Sequence, residues 1–206
     1  MPFGTRIPRV YLASRSPRRR ELLTQIGITF DTLTFRGLQR EDCIDESPID
    51  DEVPEVYVER IARAKAGYGW HMVNMRRLIL RPVLAADTVI EFDGQIIGKP
   101  ADVDDAQSIL QRLSGRTHRV LTAVAVVFKG DIESILSVSE VRFCQLDPAD
   151  IRHYVASGEP MDKAGAYAIQ GQAGLFVEHL SGSYSGVMGL PLYETRQLFH
   201  RFGFAL

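Results

Sequence analysis

The sequence predicts an α/β or α+β fold with a mixed sheet, in one ordinary domain or one domain with two lobes around a cleft, and three observations carry that prediction. Two long stretches of alternating apolar residues, 119–128 and 132–146, flank Gly130-Asp131 and read as an antiparallel pair. Helical segments with clear start and stop residues are interleaved with the strands rather than segregated from them. A chain of 206 residues that is 45% hydrophobic can bury the core such a sheet needs, within one domain spanning 1–206.

Each element has its own local reason. Residues 10–13 read as a short buried strand. Ser16 followed by Pro17 is an N-cap and first-turn signal, so a helix runs from there to about residue 26, where Gly27 stops it. Residues 29–33 give a second short strand. The stretch 36–54 is polar and acidic around Asp45-Glu46-Ser47-Pro48 and reads as a loop, long between Arg36 and Cys43. A helix over 55–70 places Val58, Ile61 and Ala62 on one apolar stripe. The run 83–92 is apolar and β-branched, and Asp93-Gly94 turns it back into 95–97 as a hairpin. A helix over 102–113 closes at Gly115. After the long antiparallel pair, Asp147-Pro148 opens a helix that ends at Gly158, 175–179 forms a further strand, and 192–199 a terminal helix.

Composition excludes several functions. The formal net charge of -2 argues against bulk attraction to nucleic acid or an anionic membrane. No apolar run reaches the roughly 20 residues that span a bilayer, and residues 1–9 lack the apolar core of a secretory signal. Cys43 and Cys144 form no C-x-x-C pair, so a disulfide framework or thiolate metal site is not expected, which suits a reducing, cytoplasmic setting. The histidines show no metal-ligand spacing, and His118 and His153 read as surface or structural residues. Neither a phosphate-binding G-x-x-x-x-G-K-[ST] loop nor a G-x-S-x-G nucleophile elbow occurs.

What remains is a set of misplaced charges. Arg18, Arg19 and Arg20 stand in a first helical turn, where the macrodipole prefers anions. With Ser14, Ser16 and free backbone N–H groups they would cradle a phosphate; alternatively they are a solvated basic turn. Asp87 interrupts the apolar run Leu84-Ala85-Ala86-Asp87-Thr88-Val89-Ile90, and a carboxylate there must be paired, metal-bound or at a solvated strand end. Gly98-Lys99-Pro100 offers a close backbone approach and a point charge, or an ordinary turn. Lys65 shares the apolar stripe of its helix, for which snorkelling is the common explanation and a charged cleft the rarer one. The segment 157–171 is rich in small and charged residues; its Gln170 can donate and accept together, matching the O4/N3–H edge of uracil or thymine, or else it belongs to a polar surface loop. Residues 181–186 are a glycine–serine turn that either binds phosphate or merely connects.

These blocks, in this order, resemble the Maf family of nucleotide pyrophosphatases. The resemblance runs from about Val10 to Leu198 through Leu12-Ala13-Ser14, Ser16-Pro17-Arg18-Arg19, Asp45-Glu46-Ser47, Ala86-Asp87-Thr88-Val89, Gly98-Lys99-Pro100, Asp162-Lys163-Ala164-Gly165 and Gly189-Leu190-Pro191. It implies a Maf/inosine-triphosphatase-like fold with a nucleotide cleft between lobes, a divalent cation (Mg²⁺ or Mn²⁺), a cytoplasmic address and often a homodimer. Asp162 to Tyr167 with Gln170-Gly171 is similar to the branch acting on dTTP and UTP, whereas the 7-methyl-GTP branch differs there. By that resemblance Asp87 is the catalytic acid–base residue, and Arg18, Thr88 and Gln170 tune base choice. Ser14, Arg19, Glu46, Lys65 and Lys99 complete the polar cleft.

The expected reaction releases pyrophosphate and a nucleoside monophosphate. The helix start at Ser16, Arg18 and Arg19, together with Lys65 and Lys99, would clamp the phosphates. The cation would sit on Glu46 or Asp87, and Asp87 would orient or deprotonate water. Base and metal-ligand roles for Asp87 are not separable in sequence. The chain departs from the family pattern at Arg15 and at Gly186-Val187-Met188, where Asn-Val-Val is commoner. Two rival readings are a pyrophosphatase for 7-methyl-GTP or another non-standard nucleotide, and a non-catalytic protein that binds nucleic acid or regulates cell division. The net charge and the lack of a basic stripe with interleaved aromatics weigh against the second.

Overall fold

The structure, a computed structural model, describes residues 5–33 and 44–205. The expected long stretch between Arg36 and Cys43 lies outside the described residues. In chain order the elements are β1 (Thr5–Arg6), β2 (Val10–Leu12), α1 (Pro17–Gln25), β3 (Phe30–Thr32), α2 (Pro54–Met75), β4 (Val83–Phe92), β5 (Gln95–Ile97) and α3 (Val103–Leu113). They continue with β6 (Thr117–Phe128), β7 (Asp131–Phe143), α4 (Pro148–Ala156), β8 (Val177–Ser181), α5 (Tyr184–Val187), α6 (Leu192–Arg201) and β9 (Phe204–Ala205).

The central sheet has seven strands in the order β3-β2-β4-β6-β7-β8, with β5 added to β4. Strand β2 pairs parallel with β3 and β4, while β4, β6, β7 and β8 pair antiparallel, so the sheet is mixed as the sequence predicts. The turn between β6 and β7 is Lys129-Gly130, both with positive φ, because Phe128 pairs with Asp131. This is the mirror-image turn that matches strand twist.

Strand alternation divides the core into two layers. Val83, Ala85, Val89, Leu121, Ala123, Ala125 and Val127 pack against α2 through Val58, Ile61, Ala62 and Ala66. Leu84, Ala86, Ile90, Val120, Val124 and Val126 face the other way, toward α1, α3, α4 and α6. Helix α2 reaches Met75, a turn beyond the expected end, because Gly69 and Val73 are buried in that layer and tertiary packing outlasts the sequence signal.

The site is prepared by a break in strand pairing. On its inner edge β4 pairs with β6 from Val83 to Glu91. On its outer edge it pairs with β2 only at Val83 and Leu84, and with β5 only from Ile90 to Phe92. Among the described residues no strand covers the outer edge between these pairings, and Asp87, Thr88 and Val89 lie in that gap. A carboxylate inside an apolar strand is tolerated because the strand borders open space there. No helix among the described residues is long and apolar enough to cross a membrane.

Candidate active site

A cleft of about 540 Å³ opens at this gap in β4. Its walls come from the end of β2 and the start of α1, from α2, from the turn after β5, from residues 162–169 and from residues 187–189. Ser14, Ser16, Arg18, Arg19, Glu46, Lys65, Asp87, Thr88 and Lys99 all line it. Arg19 and Lys99 therefore share one cavity with Asp87. Gln170 is exposed and lies outside this lining, while its neighbours Ala168 and Ile169 are buried and form part of the wall.

On the α2 side of the sheet, Lys65 holds two carboxylates. Its Nζ donates to Asp87 Oδ1 at 2.7 Å and pairs with Glu46 Oε1 at 3.0 Å. The lysine side chain is 6% exposed and that of Asp87 14%, so the pair is largely desolvated; Glu46 is more open at 44%. Snorkelling does not describe Lys65: its head group points into the cleft, not along the helix to water. Tyr57 donates its hydroxyl to the Glu46 carbonyl at 2.8 Å. Burial, then the charges of Asp87 and Glu46, push the Tyr57 phenol up, so it stays a donor.

On the opposite side, Arg19 is fixed at three points. Its Nε donates to the Gly189 carbonyl at 2.7 Å, Nη1 to Ser14 Oγ at 3.2 Å and Nη2 to Thr88 Oγ1 at 3.3 Å. Ser16 caps α1 as expected, accepting from Arg19 N at 3.5 Å, and Pro17 opens the helix. No acidic residue stands in that first turn, so its positive end faces the cleft undiminished. Asp87 and Thr88, adjacent in sequence, thus point to opposite faces of β4, one to the carboxylate–lysine cluster and the other to the arginine.

A third wall carries Arg18, Asp162 and Lys163. Burial lowers Arg18 and the nearby Asp162 opposes that shift, yet a guanidinium remains charged. Lys163 donates to Asp162, which holds the Asp162 carboxyl below its usual range. The Gly98 carbonyl accepts from Gly165 N at 2.9 Å, tying the Gly98-Lys99-Pro100 turn to this wall.

The structure adds residues that the sequence did not single out. Thr122 on β6 is 1% exposed and sits beside Thr88, with its hydroxyl within 3.1 Å of Thr88 Oγ1. A lone hydroxyl in the apolar run of β6 is the same kind of signal that marked Asp87 in β4, and it could have been found that way. Tyr57 and the Gly189 carbonyl had no such signal. His118, expected at the surface or in a structural role, is structural: it is buried, and its Nε2 lies 2.8 Å from Tyr167 Oη. The glycine–serine turn at 181–186 leads into α5, where Ser183 Oγ caps Gly186 N at 2.9 Å.

The chain as a whole is similar to known proteins. The family model described as Maf-like protein matches residues 9–202. The dTTP/UTP pyrophosphatase of Dechloromonas aromatica is 62% identical over 197 residues, covering 95% of this chain and 98% of its own. The dTTP/UTP pyrophosphatase of Aromatoleum aromaticum is 58% identical over 200 residues, covering 96% and 97%. Among solved structures, the Staphylococcus aureus Ham1 protein superposes with a TM-score of 0.46 at 14% identity, covering 95% of this chain and 97% of its own.

Proposed function

The chain belongs to the family of Maf-like proteins, and from that premise we propose that it hydrolyses dTTP and UTP to the monophosphate and pyrophosphate in the cleft around Asp87. One observation carries the reading: a carboxylate held by a buried ammonium faces a cavity whose other walls bring Arg18, Arg19 and Lys99. A triphosphate is the kind of ligand that needs this much positive charge around one acidic group. Relatives at 62% and 58% identity bear the name dTTP/UTP pyrophosphatase, which supports the pyrimidine substrates.

In this reading the α1 start, Arg19 and Lys99 hold the phosphates, and Asp87 orients and deprotonates the attacking water. Lys65 keeps the Asp87 carboxylate aimed at the cleft through its 2.7 Å contact. The donor set also fits a hard divalent cation such as Mg²⁺ or Mn²⁺. Glu46 and Asp87 both line the cleft and are the carboxylates that would hold it, since Mg²⁺ is commonly bound through one or two carboxylates plus substrate phosphates. When bound, the cation supplies charge neutralisation and polarisation at the α phosphate. Arg18, Thr88 and Gln170 select the base, and the buried wall residues Ala168 and Ile169 beside Gln170 add shape. As part of the same reading the protein is a cytoplasmic enzyme acting on free nucleotides, with no nucleic-acid or membrane partner, and forms a homodimer.

The test is a panel of dTTP, UTP, CTP, GTP and 7-methyl-GTP assayed with Mg²⁺ for released pyrophosphate. Preferential cleavage of dTTP and UTP is expected. Cleavage confined to 7-methyl-GTP would overturn the substrate, and no pyrophosphate from any triphosphate would overturn the activity.

A further inference from the structure

We propose that Thr122 is a positioning residue: it fixes which way the Thr88 hydroxyl points and thereby locks Arg19 in its phosphate-facing pose. The inference rests on the pyrophosphatase reading of the cleft and concerns a residue behind it.

The number of hydroxyl hydrogens sets the direction of each contact. Thr122 Oγ1 lies 2.8 Å from the Gly186 carbonyl and 3.1 Å from Thr88 Oγ1. A carbonyl can only accept, and a threonine hydroxyl has one hydrogen, so the shorter contact consumes the Thr122 proton. At the longer contact Thr88 is then the donor, with Thr122 accepting. The Thr88 proton is thus turned inward, and its lone pairs face outward to accept from Arg19 Nη2 at 3.3 Å. Were Thr122 not there to accept, the Thr88 hydrogen would be free to rotate toward the guanidinium and oppose it.

The same contacts close a ring. The Gly186 carbonyl also accepts from Gly189 N at 2.8 Å, and the Gly189 carbonyl in turn accepts Arg19 Nε at 2.7 Å. Two of the three contacts that hold Arg19, those to Thr88 and Gly189, therefore lead back to the hydroxyl of Thr122, while the third goes to Ser14. Thr122 as a whole is 1% exposed, so water does not compete for its bonds. Because Arg19 would contact phosphate in the ground state and the transition state alike, loosening it weakens binding more than turnover.

Thr122→Val removes the hydroxyl at nearly constant shape, and Thr122→Ser retains it. The expected result is a KM for dTTP raised at least about tenfold in Thr122→Val with kcat within about threefold, and near-normal KM in Thr122→Ser. Combining Thr122→Val with Arg19→Ala should add less than about twofold to the loss from Arg19→Ala alone, since Thr122 acts through Arg19. Unchanged KM in Thr122→Val, an additive double variant, or equal losses in the Ser and Val variants would overturn the assignment. Calorimetric affinity for inorganic tripolyphosphate gives the same comparison without turnover. Failure of the unaltered protein to cut dTTP or UTP would thus count against the substrate reading alone, and the binding series would still decide the role of Thr122.

Discussion

At the scale of single residues, the decisive feature is an ammonium buried with two acids. Lys65 is 5% exposed, and burying its charge would be costly without Asp87 and Glu46 beside it. The arrangement keeps Asp87 aimed into the cleft, at the outer edge of β4 that no strand covers among the described residues. Replacing Asp87 by Asn keeps the side-chain shape and leaves Glu46 to pair with Lys65, so the fold should persist. Turnover should fall by about 10²-fold or more if Asp87 is the base, read as pyrophosphate release alongside the thermal unfolding midpoint. An Asn variant with near-normal kcat would remove Asp87 from the chemistry. Asp87 was conspicuous in sequence because acids are costly inside apolar strands. Lys65 was not, because a lysine on a helical stripe usually snorkels, and only the helix packing shows where its head group goes.

At the scale of elements, the cleft exists because short strands flank a long one. Strands β2 and β5 cover the two ends of the outer edge of β4 and leave the middle open. The wall at 162–169 closes onto that opening through a very tight approach. Gly165 has φ of 69°, and a Cβ at that position would collide with the Ile90 side chain. Gly165→Ala should therefore destabilise the protein by about 1–3 kcal/mol through overpacking and backbone strain. The loss should appear as a lower midpoint in urea unfolding, and an unchanged midpoint would mean that the wall can yield. The strands around Asp93-Gly94 and the α1 start were readable from turn and cap residues alone. The 3₁₀ turns at Glu159–Asp162, Ala164–Ala166 and Gln172–Phe176, the short α5 and the β1–β9 pairing were not, since they depend on contacts between distant segments.

At the scale of the whole molecule, one buried histidine couples global stability to pH. Burial pushes the His118 ring down to about 4 from its usual 6.5. The folded chain then keeps it neutral while the unfolded chain takes up a proton, so its stabilisation is complete above pH 6.5 and is lost as pH falls toward 4. Between pH 6.5 and 5.0 the loss should be about 2 kcal/mol, at roughly 1.4 kcal/mol per pH unit. Urea unfolding of the unaltered protein and of His118→Gln at the two pH values checks this; an equal slope in both would acquit His118. By itself the sequence determined the mixed sheet, the capped α1, the hairpins and the identity of most polar cleft residues, because period, caps and misplaced charges are local properties of the chain. Tertiary structure alone decided that Asp87 and Thr88 face opposite layers, that Lys65 bridges two acids, that Thr122 stands behind Thr88 and that Gln170 sits outside the cleft wall. Those facts depend on which strand ends beside which, and strand pairing across tens of residues is set by the packing of the whole core rather than by any one segment.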